Sequence, residues 1–287
     1  MRTIVALLLA TLALTGCGVR LDAPDPTPTS PTADEAIRQR EALRAAELTA
    51  VVPAGDPLLE SVADHAVAHL GALGGVWRAW PAGDGPTPTT DPTADVTVGP
   101  DGVLAWLRTT RPSLEEAVVE ATDTDLVAVL GAIAVSRALD EDALAVAAGE
   151  EPPVDDLPAD LATADPGVAR ALDAAAHTLE VLAARAAAAG EDADALARAA
   201  EARRVLAARL VADNGWEGTA ADPREPFYDV VATTTAEVDG GLALALLAAL
   251  GDAPDRAAVL DAAVGRAVAA ARGGEDLGPL PGLRPVP

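Results

Sequence analysis

The chain has 287 residues, and its 45 Asp and Glu against 20 basic residues give a formal net charge of −25. Such an acidic chain disfavours nucleic-acid binding and adhesion to anionic membranes, because like charges repel. Aromatic residues make up 2% of the chain, which argues against carbohydrate platforms and base-stacking surfaces. The length allows one large or two small domains with a sizeable core.

The first residues carry the pattern of an export signal. Arg2 precedes an apolar run over 4–14, which is too short to cross a bilayer, since a spanning helix requires about 20 residues. The run leads into Leu14-Thr15-Gly16-Cys17, and Cys17 is the only cysteine in the sequence. This ending resembles the lipobox of bacterial lipoproteins. The sequence therefore predicts a signal peptide over 1–16 and a covalent lipid on Cys17.

A lipid on Cys17 predicts an exported protein. The lipid would insert into the bilayer and anchor the protein to the outer face of the cell membrane. It leaves no thiol for a disulfide, a thiolate metal ligand or a nucleophile, so the fold must depend on its core. Pro, Thr and Asp dominate the residues after Cys17, which is typical of an extended tether. We therefore expect residues 17–31 to be disordered.

Helix signals follow over residues 32–148, an N-terminal helical region. A capping box at 32–35 begins a helix that ends near Ala50, and a second helix runs from about Pro57 to Leu73. Pro, Gly, Thr and Asp dominate residues 81–103, which predicts a long surface loop.

Three further helices are predicted before the next boundary. A capping box at 113–116 begins a helix to about residue 121, a new cap begins a helix over 122–139, and a short helix covers 141–148. Residues 149–164 are acidic and rich in Pro. This connector is the best candidate for an internal domain boundary.

The C-terminal half predicts two helical hairpins. Asp165-Pro166 is an N-cap followed by Pro at the first helical position, and 234–237 is a capping box. Short connections would join four helices over 165–272 into an antiparallel bundle, and the tail 273–287 is expected to be disordered. The class is therefore all-α, with predicted helices over 166–189, 192–212, 234–250 and 254–272.

Several segments carry a resemblance to a known family: 64–70, 73–75, 172–180, 201–204 and 226–229. On these residues the chain resembles actinobacterial lipoproteins that contain a ferritin-like domain of unknown function. The resemblance covers most of the chain after the tether. It implies a ferritin-like bundle over 165–272 and no known activity.

The di-iron chemistry of ferritin-like proteins is not expected here. Such sites use Glu-x-x-His on two helices, and the sequence has no Glu-x-x-His. Members of the resembled family often carry Glu directly before the first-helix His, whereas here Ala176 precedes His177. Helical geometry places His177 beside Asp173 and opposite the apolar face of its helix. We therefore expect a degenerate bundle in which His177 is a surface or secondary-contact residue.

His65 and His69 are the candidate metal ligands. They lie one helical turn apart, and two imidazoles at this spacing can chelate one zinc or copper ion when another helix adds a ligand such as Glu47. The alternative is two half-buried histidines that form hydrogen bonds at a helix seam. Ala66 stands where a metalloprotease needs its catalytic Glu, so that chemistry is disfavoured.

Arg203 lies on the apolar face of its predicted helix and therefore needs a carboxylate partner or a route to solvent. Asp239 and Glu180 are the candidate partners of a structural ion pair, and anion binding by Arg203 is the alternative.

Three tryptophans bracket the long loop and either close one end of the bundle or line a cleft: Trp77, Trp80 and Trp106.

No Ser/His/Asp order, phosphate loop or paired-carboxylate signature is present, so no catalytic residue is predicted. The sequence favours a non-enzymatic binding or scaffolding module of the cell envelope, with an envelope protein or peptide as partner. The alternative is an envelope protein that binds zinc, copper or iron through His65 and His69. No cofactor is predicted beyond the lipid on Cys17.

Overall fold

The computed structural model describes residues 30–51, 55–77, 99–153, 157–158, 161–163 and 165–283. The chain divides into two compact units, Met1–Pro31 and Thr32–Pro287. The predicted signal peptide, Cys17 and almost all of the predicted tether lie outside the described residues, as do Trp80 and most of the predicted loop.

The described part of Thr32–Pro287 is all-α, as predicted, and contains no strand. None of its helices is long and apolar enough to cross a membrane. A 3₁₀ helix, Leu250–Asp252, lies between the last two α-helices. The α-helices are α1 (Ala33–Val51), α2 (Pro57–Ala72), α3 (Pro100–Glu120), α4 (Thr124–Ala147), α5 (Pro166–Ala189), α6 (Asp194–Asp213), α7 (Thr235–Ala249) and α8 (Arg256–Arg272).

Side-chain caps set several of the helix starts. The carboxylates of Asp56, Asp123 and Asp165 accept the first free backbone N–H groups of α2, α4 and α5. At α7 the predicted capping box is complete, since Thr234 and Glu237 accept each other's backbone N–H groups. Local hydrogen bonding therefore explains why these starts could be predicted.

Helix α3 differs from the prediction. The local sequence predicts a loop up to residue 103 and a new helix at Ser113, whereas α3 continues from Pro100 to Glu120 through Pro112. A proline inside a helix costs about 3 kcal/mol. Burial of a continuous apolar face outweighs that cost, and this face consists of Val103, Leu104, Trp106, Leu107, Leu114, Ala117 and Val118.

Helix α4 is also longer than predicted. The sequence analysis divided it into helices over 122–139 and 141–148, but one helix covers Thr124–Ala147. No Gly or Pro interrupts residues 132–147. Leu144 and Ala145 are buried in a core cluster with residues of α1, α2 and α3, so tertiary packing holds the last turns of α4.

The helices pack mainly as consecutive pairs: α1 with α2, α3 with α4, α5 with α6, and α7 with α8. Helix α8 also packs against α3 and α4, and α5 packs against α7. The largest core cluster draws buried residues from both sides of the predicted 149–164 connector, including Leu130, Leu172, Leu246 and Leu260. Both helical halves therefore belong to one compact unit.

Part of the predicted disordered tail packs against the helices. Leu277 and Leu280 contact the largest core cluster, and the Pro279 carbonyl accepts a hydrogen bond from His69. Residues 284–287 lie outside the described part of the chain. The segment 273–283 differs from the prediction because its leucines find apolar surface that composition alone does not reveal.

Gly131 on α4 is expected to tolerate no side chain. A Cβ there would lie 2.5 Å from Cδ2 of Leu250, a residue with no exposed surface. Gly131→Ala should therefore lower the free energy of unfolding by about 1–3 kcal/mol through overpacking. Urea denaturation measures the difference.

The control is Gly241→Ala on α7, where no atom lies within 4 Å of the new Cβ. That change should stabilise the protein by about 0.5–1 kcal/mol, since alanine favours the helix. Equal effects of the two substitutions would contradict the packing assigned to Gly131.

Candidate functional site

A buried ion-pair cluster joins α1 to α4. The side chain of Glu41 has 0% exposure, and its carboxylate accepts hydrogen bonds from Arg137 at 3.1 Å and from Arg44 at 2.6 Å. The Arg137 guanidinium carbon lies 5.5 Å from the ring centroid of Trp106, within cation–π range. Sequence analysis did not identify this cluster.

Burial is the dominant influence on Arg137. It lowers the pKa of the guanidinium, whereas the charge of Glu41 raises it. Nε and Nη2 of Arg137 are buried without a hydrogen-bond partner among the described residues. Glu41 is therefore the main compensation for a buried charge.

A cavity of about 490 Å³ adjoins Arg137 between α3, α4 and α8. Its volume falls in the range of small-molecule sites. Ala134, Ala138 and Ala257 leave space between the three helices, since their side chains are short. Leucines from two of these helices supply apolar wall, namely Leu107, Leu114 and Leu260.

Carboxylates dominate the charged lining of this cavity. Glu141 lies 3.4 Å from Arg111 and 3.5 Å from Arg108, whereas Glu115 lies 3.7 Å from Arg111. Burial raises the pKa of Glu115, Arg111 lowers it, and the negative charges of Asp261 and Glu141 raise it further. Asp261 forms no ion pair within the described part of the chain. The lining therefore combines apolar surface with excess negative charge.

His65 interacts with a carboxylate instead of with His69. Its Nδ1 lies 2.8 Å from Oδ1 of Asp140 on α4. The hydrogen bond to Asp140 raises the pKa of His65 above its ordinary value, although burial opposes this. Burial also raises the pKa of Asp140. The pair forms a hydrogen-bonded contact between α2 and α4.

His69 is held in the neutral form. Its side chain is buried, and Nε2 donates to the Pro279 carbonyl at 3.0 Å. Burial lowers the pKa of His69 to about 3, and the nearby charge of Arg137 lowers it as well. Nδ1 has no hydrogen-bond partner among the described residues.

The structure does not bring the three predicted metal ligands into one group. Within the described residues, no three or more His, Cys, Asp or Glu side chains are arranged to hold a metal ion. His65 and His69 have separate partners, and Oε2 of Glu47 is buried without a hydrogen bond. Metal binding through these residues stays a prediction with no support from this geometry.

Arg203 forms a buried ion pair. Of its two candidate partners it contacts Asp239, with Nη2 2.6 Å from Oδ1, while Glu180 pairs with Arg204 at 2.7 Å. Arg266 of α8 contacts the same Asp239 oxygen at 3.3 Å. Two buried guanidinium groups from different helices therefore share one carboxylate.

The surroundings of His177 differ from the predicted ones. Asp173, which the sequence analysis placed opposite the core, is buried and accepts hydrogen bonds from Arg204 and from the hydroxyl of Tyr228. The His177 ring lies 6.2 Å and 6.0 Å from the rings of Phe227 and Tyr228. Tyr228 belongs to the segment between α6 and α7, so helix periodicity could not predict this contact.

The tryptophans adopt two environments. Trp106 is buried beneath Arg137, whereas Trp77 is 52% exposed.

The sequence contains a signal for the buried ion pair of Arg137, because this residue is a lone cation within the apolar run of α4. Such a cation needs a carboxylate partner, as Arg203 does.

Comparison of the chain with protein-family models, with curated proteins and with solved structures found no match in any of the three. The resemblance to ferritin-like lipoproteins therefore stays a prediction. A functional hypothesis must rest on the geometry and charge of the cavities.

Proposed function

We propose that the protein is a lipid-anchored binding module of the cell envelope that binds a small amphiphilic amine between α3, α4 and α8. The export pattern that ends at Cys17 supports the anchor. The helical pairs α5–α6 and α7–α8 are consistent with a ferritin-like body, and the missing Glu-x-x-His argues against a di-iron role for it.

The observation that carries this proposal is the composition of the cavity between α3, α4 and α8. Leucine side chains form part of its wall, and Glu115, Glu141 and Asp261 all contribute carboxylates to its lining. An apolar wall favours an alkyl or ring group, since burial removes that group from water. Carboxylates favour an ammonium group.

Charge accounting favours a cation over an anion or a neutral ligand. The lining carries three carboxylates against two guanidinium groups, those of Arg111 and Arg137. Arg137 also contacts Glu41, which it shares with Arg44, and Asp261 forms no ion pair within the described part of the chain. The lining therefore keeps an excess of negative charge. Burial raises the pKa of Glu115, and the charges of Asp261 and Glu141 raise it further, so an ammonium group beside Glu115 would offset that repulsion.

The cavity lining also supports binding in preference to covalent catalysis. Its described residues include no Ser, Thr, Cys, Lys or His, which are the usual nucleophiles and bases of acyl transfer. Specificity would instead arise from fit and charge.

Hexylammonium is expected to bind more tightly than hexanol. The two probes share an alkyl chain and differ in charge, so the difference in affinity reports the preference of the cavity for a cation. Isothermal titration calorimetry on the chain from residue 17, carrying Cys17→Ser, measures the two affinities. Asp261→Asn should weaken hexylammonium binding by about fivefold, a free-energy change of about 1 kcal/mol.

Asp213→Asn is the matched control, because Asp213 on α6 is exposed and does not line this cavity. Ala138→Leu should abolish hexylammonium binding by filling the space between the helices. The proposal fails if hexanol binds as tightly as hexylammonium, or if Asp213→Asn and Asp261→Asn have equal effects on hexylammonium binding.

A further inference from the structure

A second cavity, of about 670 Å³, lies against α6, and its charge is opposite to that of the first. We define it as the arginine pocket, and its charged lining consists of Arg198, Arg203, Arg209 and Arg266. No Asp or Glu is among its described lining residues. In a chain with a net charge of −25, such a concentration of positive charge departs from the composition of the whole.

The described carboxylates leave Arg198 without an ion pair and compensate Arg209 only through an exposed partner. Asp239 contacts both Arg203 and Arg266. Asp213 lies 3.7 Å from Arg209 but is 66% exposed, so solvent screens this pair. Arg198 forms no ion pair within the described part of the chain.

Burial increases the effect of the central charge. Arg203 is 7% exposed, and its Nε has no hydrogen-bond partner among the described residues. Charges act more strongly away from bulk water, and a cleft lined by one sign of charge concentrates counter-ions. Guanidinium groups also match the geometry of carboxylate and phosphate oxygens.

Apolar side chains complete the arginine pocket. Ala202 and Val205 lie on α6 between the positions of Arg198 and Arg209, and Leu206 and Leu157 also line the space. Val205 is 57% exposed, so its side chain is accessible to a ligand in the pocket. The apolar wall therefore suits a ligand that carries an apolar group as well as a charge.

We infer that the arginine pocket binds an organic oxyanion, in which a carboxylate or phosphate is attached to a small apolar group. This inference does not depend on the proposed amine site, because the two cavities share no lining residue and select opposite charges. Failure of either proposal leaves the other to be tested by its own variants.

The test compares hexanoate, hexyl phosphate, hexanol and inorganic phosphate by isothermal titration calorimetry on the chain from residue 17 carrying Cys17→Ser. Hexanoate and hexyl phosphate should bind at least tenfold more tightly than hexanol. Their relative affinities distinguish a carboxylate ligand from a phosphate ligand. Inorganic phosphate should bind more weakly than hexyl phosphate, because it makes no contact with Val205 and Leu206.

Arg198→Gln should weaken the preferred anion at least fivefold. Arg198 is exposed, so its replacement is expected to leave the fold intact. The matched control is Arg185→Gln, which removes an exposed arginine of α5 that does not line the pocket. A second variant, Ala202→Leu, should weaken hexyl phosphate through loss of space while retaining all four arginines.

Four results would overturn the inference. Equal affinities for hexanol and the hexyl anions would show that charge does not select the ligand. Equal effects of Arg198→Gln and Arg185→Gln on anion affinity would show that the anion does not bind in this pocket. Equal affinities for inorganic phosphate and hexyl phosphate would show that the apolar wall does not contribute to binding. If no anion binds and Arg198→Gln lowers the free energy of unfolding, the arginines stabilise the fold through ion pairs with the chain's own carboxylates.

Discussion

Glu41→Gln is expected to lower the free energy of unfolding by about 3–5 kcal/mol, the usual effect of breaking a buried ion pair by removing one partner. Glu41 has 0% exposure and accepts hydrogen bonds from Arg137 and Arg44. The amide keeps the size of the side chain but removes its charge. The cation of Arg137 would then be buried without its main compensation. Urea denaturation at pH 7 measures the change.

The control is Glu225→Gln, which breaks an Arg–Glu contact at the surface. The side chains of Arg170 and Glu225 are about half exposed, so this change should cost less than about 1 kcal/mol. Adding Arg137→Met to Glu41→Gln should recover part of the loss, because the more deeply buried cation is then removed, whereas Arg44 still lacks its partner Glu41. A small effect of Glu41→Gln, or no recovery in the double variant, would contradict this role of the pair.

Acid is expected to destabilise the protein through His69. The folded pKa of about 3 lies below the ordinary value of 6.5, because the imidazole is buried. Between these values the unfolded chain binds a proton that the folded chain does not. The stability contributed by neutral His69 is therefore complete above about pH 6.5 and decreases as pH falls toward 3, by about 1.4 kcal/mol per pH unit.

The measurement is the free energy of unfolding at pH 7 and at pH 4.5 for the wild type, His69→Gln and His65→Gln. His69→Gln should reduce the loss between these pH values by about 2–3 kcal/mol. His65→Gln should increase the loss. The pKa of His65 is raised by Asp140, so its stabilising contribution is present below the unfolded pKa and disappears as pH rises. Changes of the same sign in both variants would refute the assignment.

Helix class and many helix boundaries could be predicted because their causes are local. The side chain of Asp165 accepts an N–H group two residues away, and Gly190 adopts the left-handed conformation that ends α5. Such interactions depend on neighbours in the chain, and the sequence contains them in full. The capping box of α7 could be predicted for the same reason.

The errors in α3 and α4 have a different cause. Pro112 and the capping box at 113–116 are genuine local signals for a new helix start, yet Ser113 accepts a hydrogen bond from Arg44 of α1 within a continuous α3. Burial of one apolar face along the whole helix outweighs the local preference. That burial depends on α4 and α8, whose positions no local pattern specifies.

The candidate sites divide in the same way. The sequence by itself determined the all-α class, the helix caps and the need of Arg203 for a carboxylate, because charge, hydrogen-bonding capacity and periodicity are properties of residues. Only the tertiary structure decided that His65 contacts Asp140 and His69 contacts Pro279. It alone placed Glu115, Glu141 and Asp261 around one cavity and four arginines around another. The three carboxylates lie on three different helices, and Arg266 of α8 joins three arginines of α6, so the convergence of these groups depends on how the helices pack.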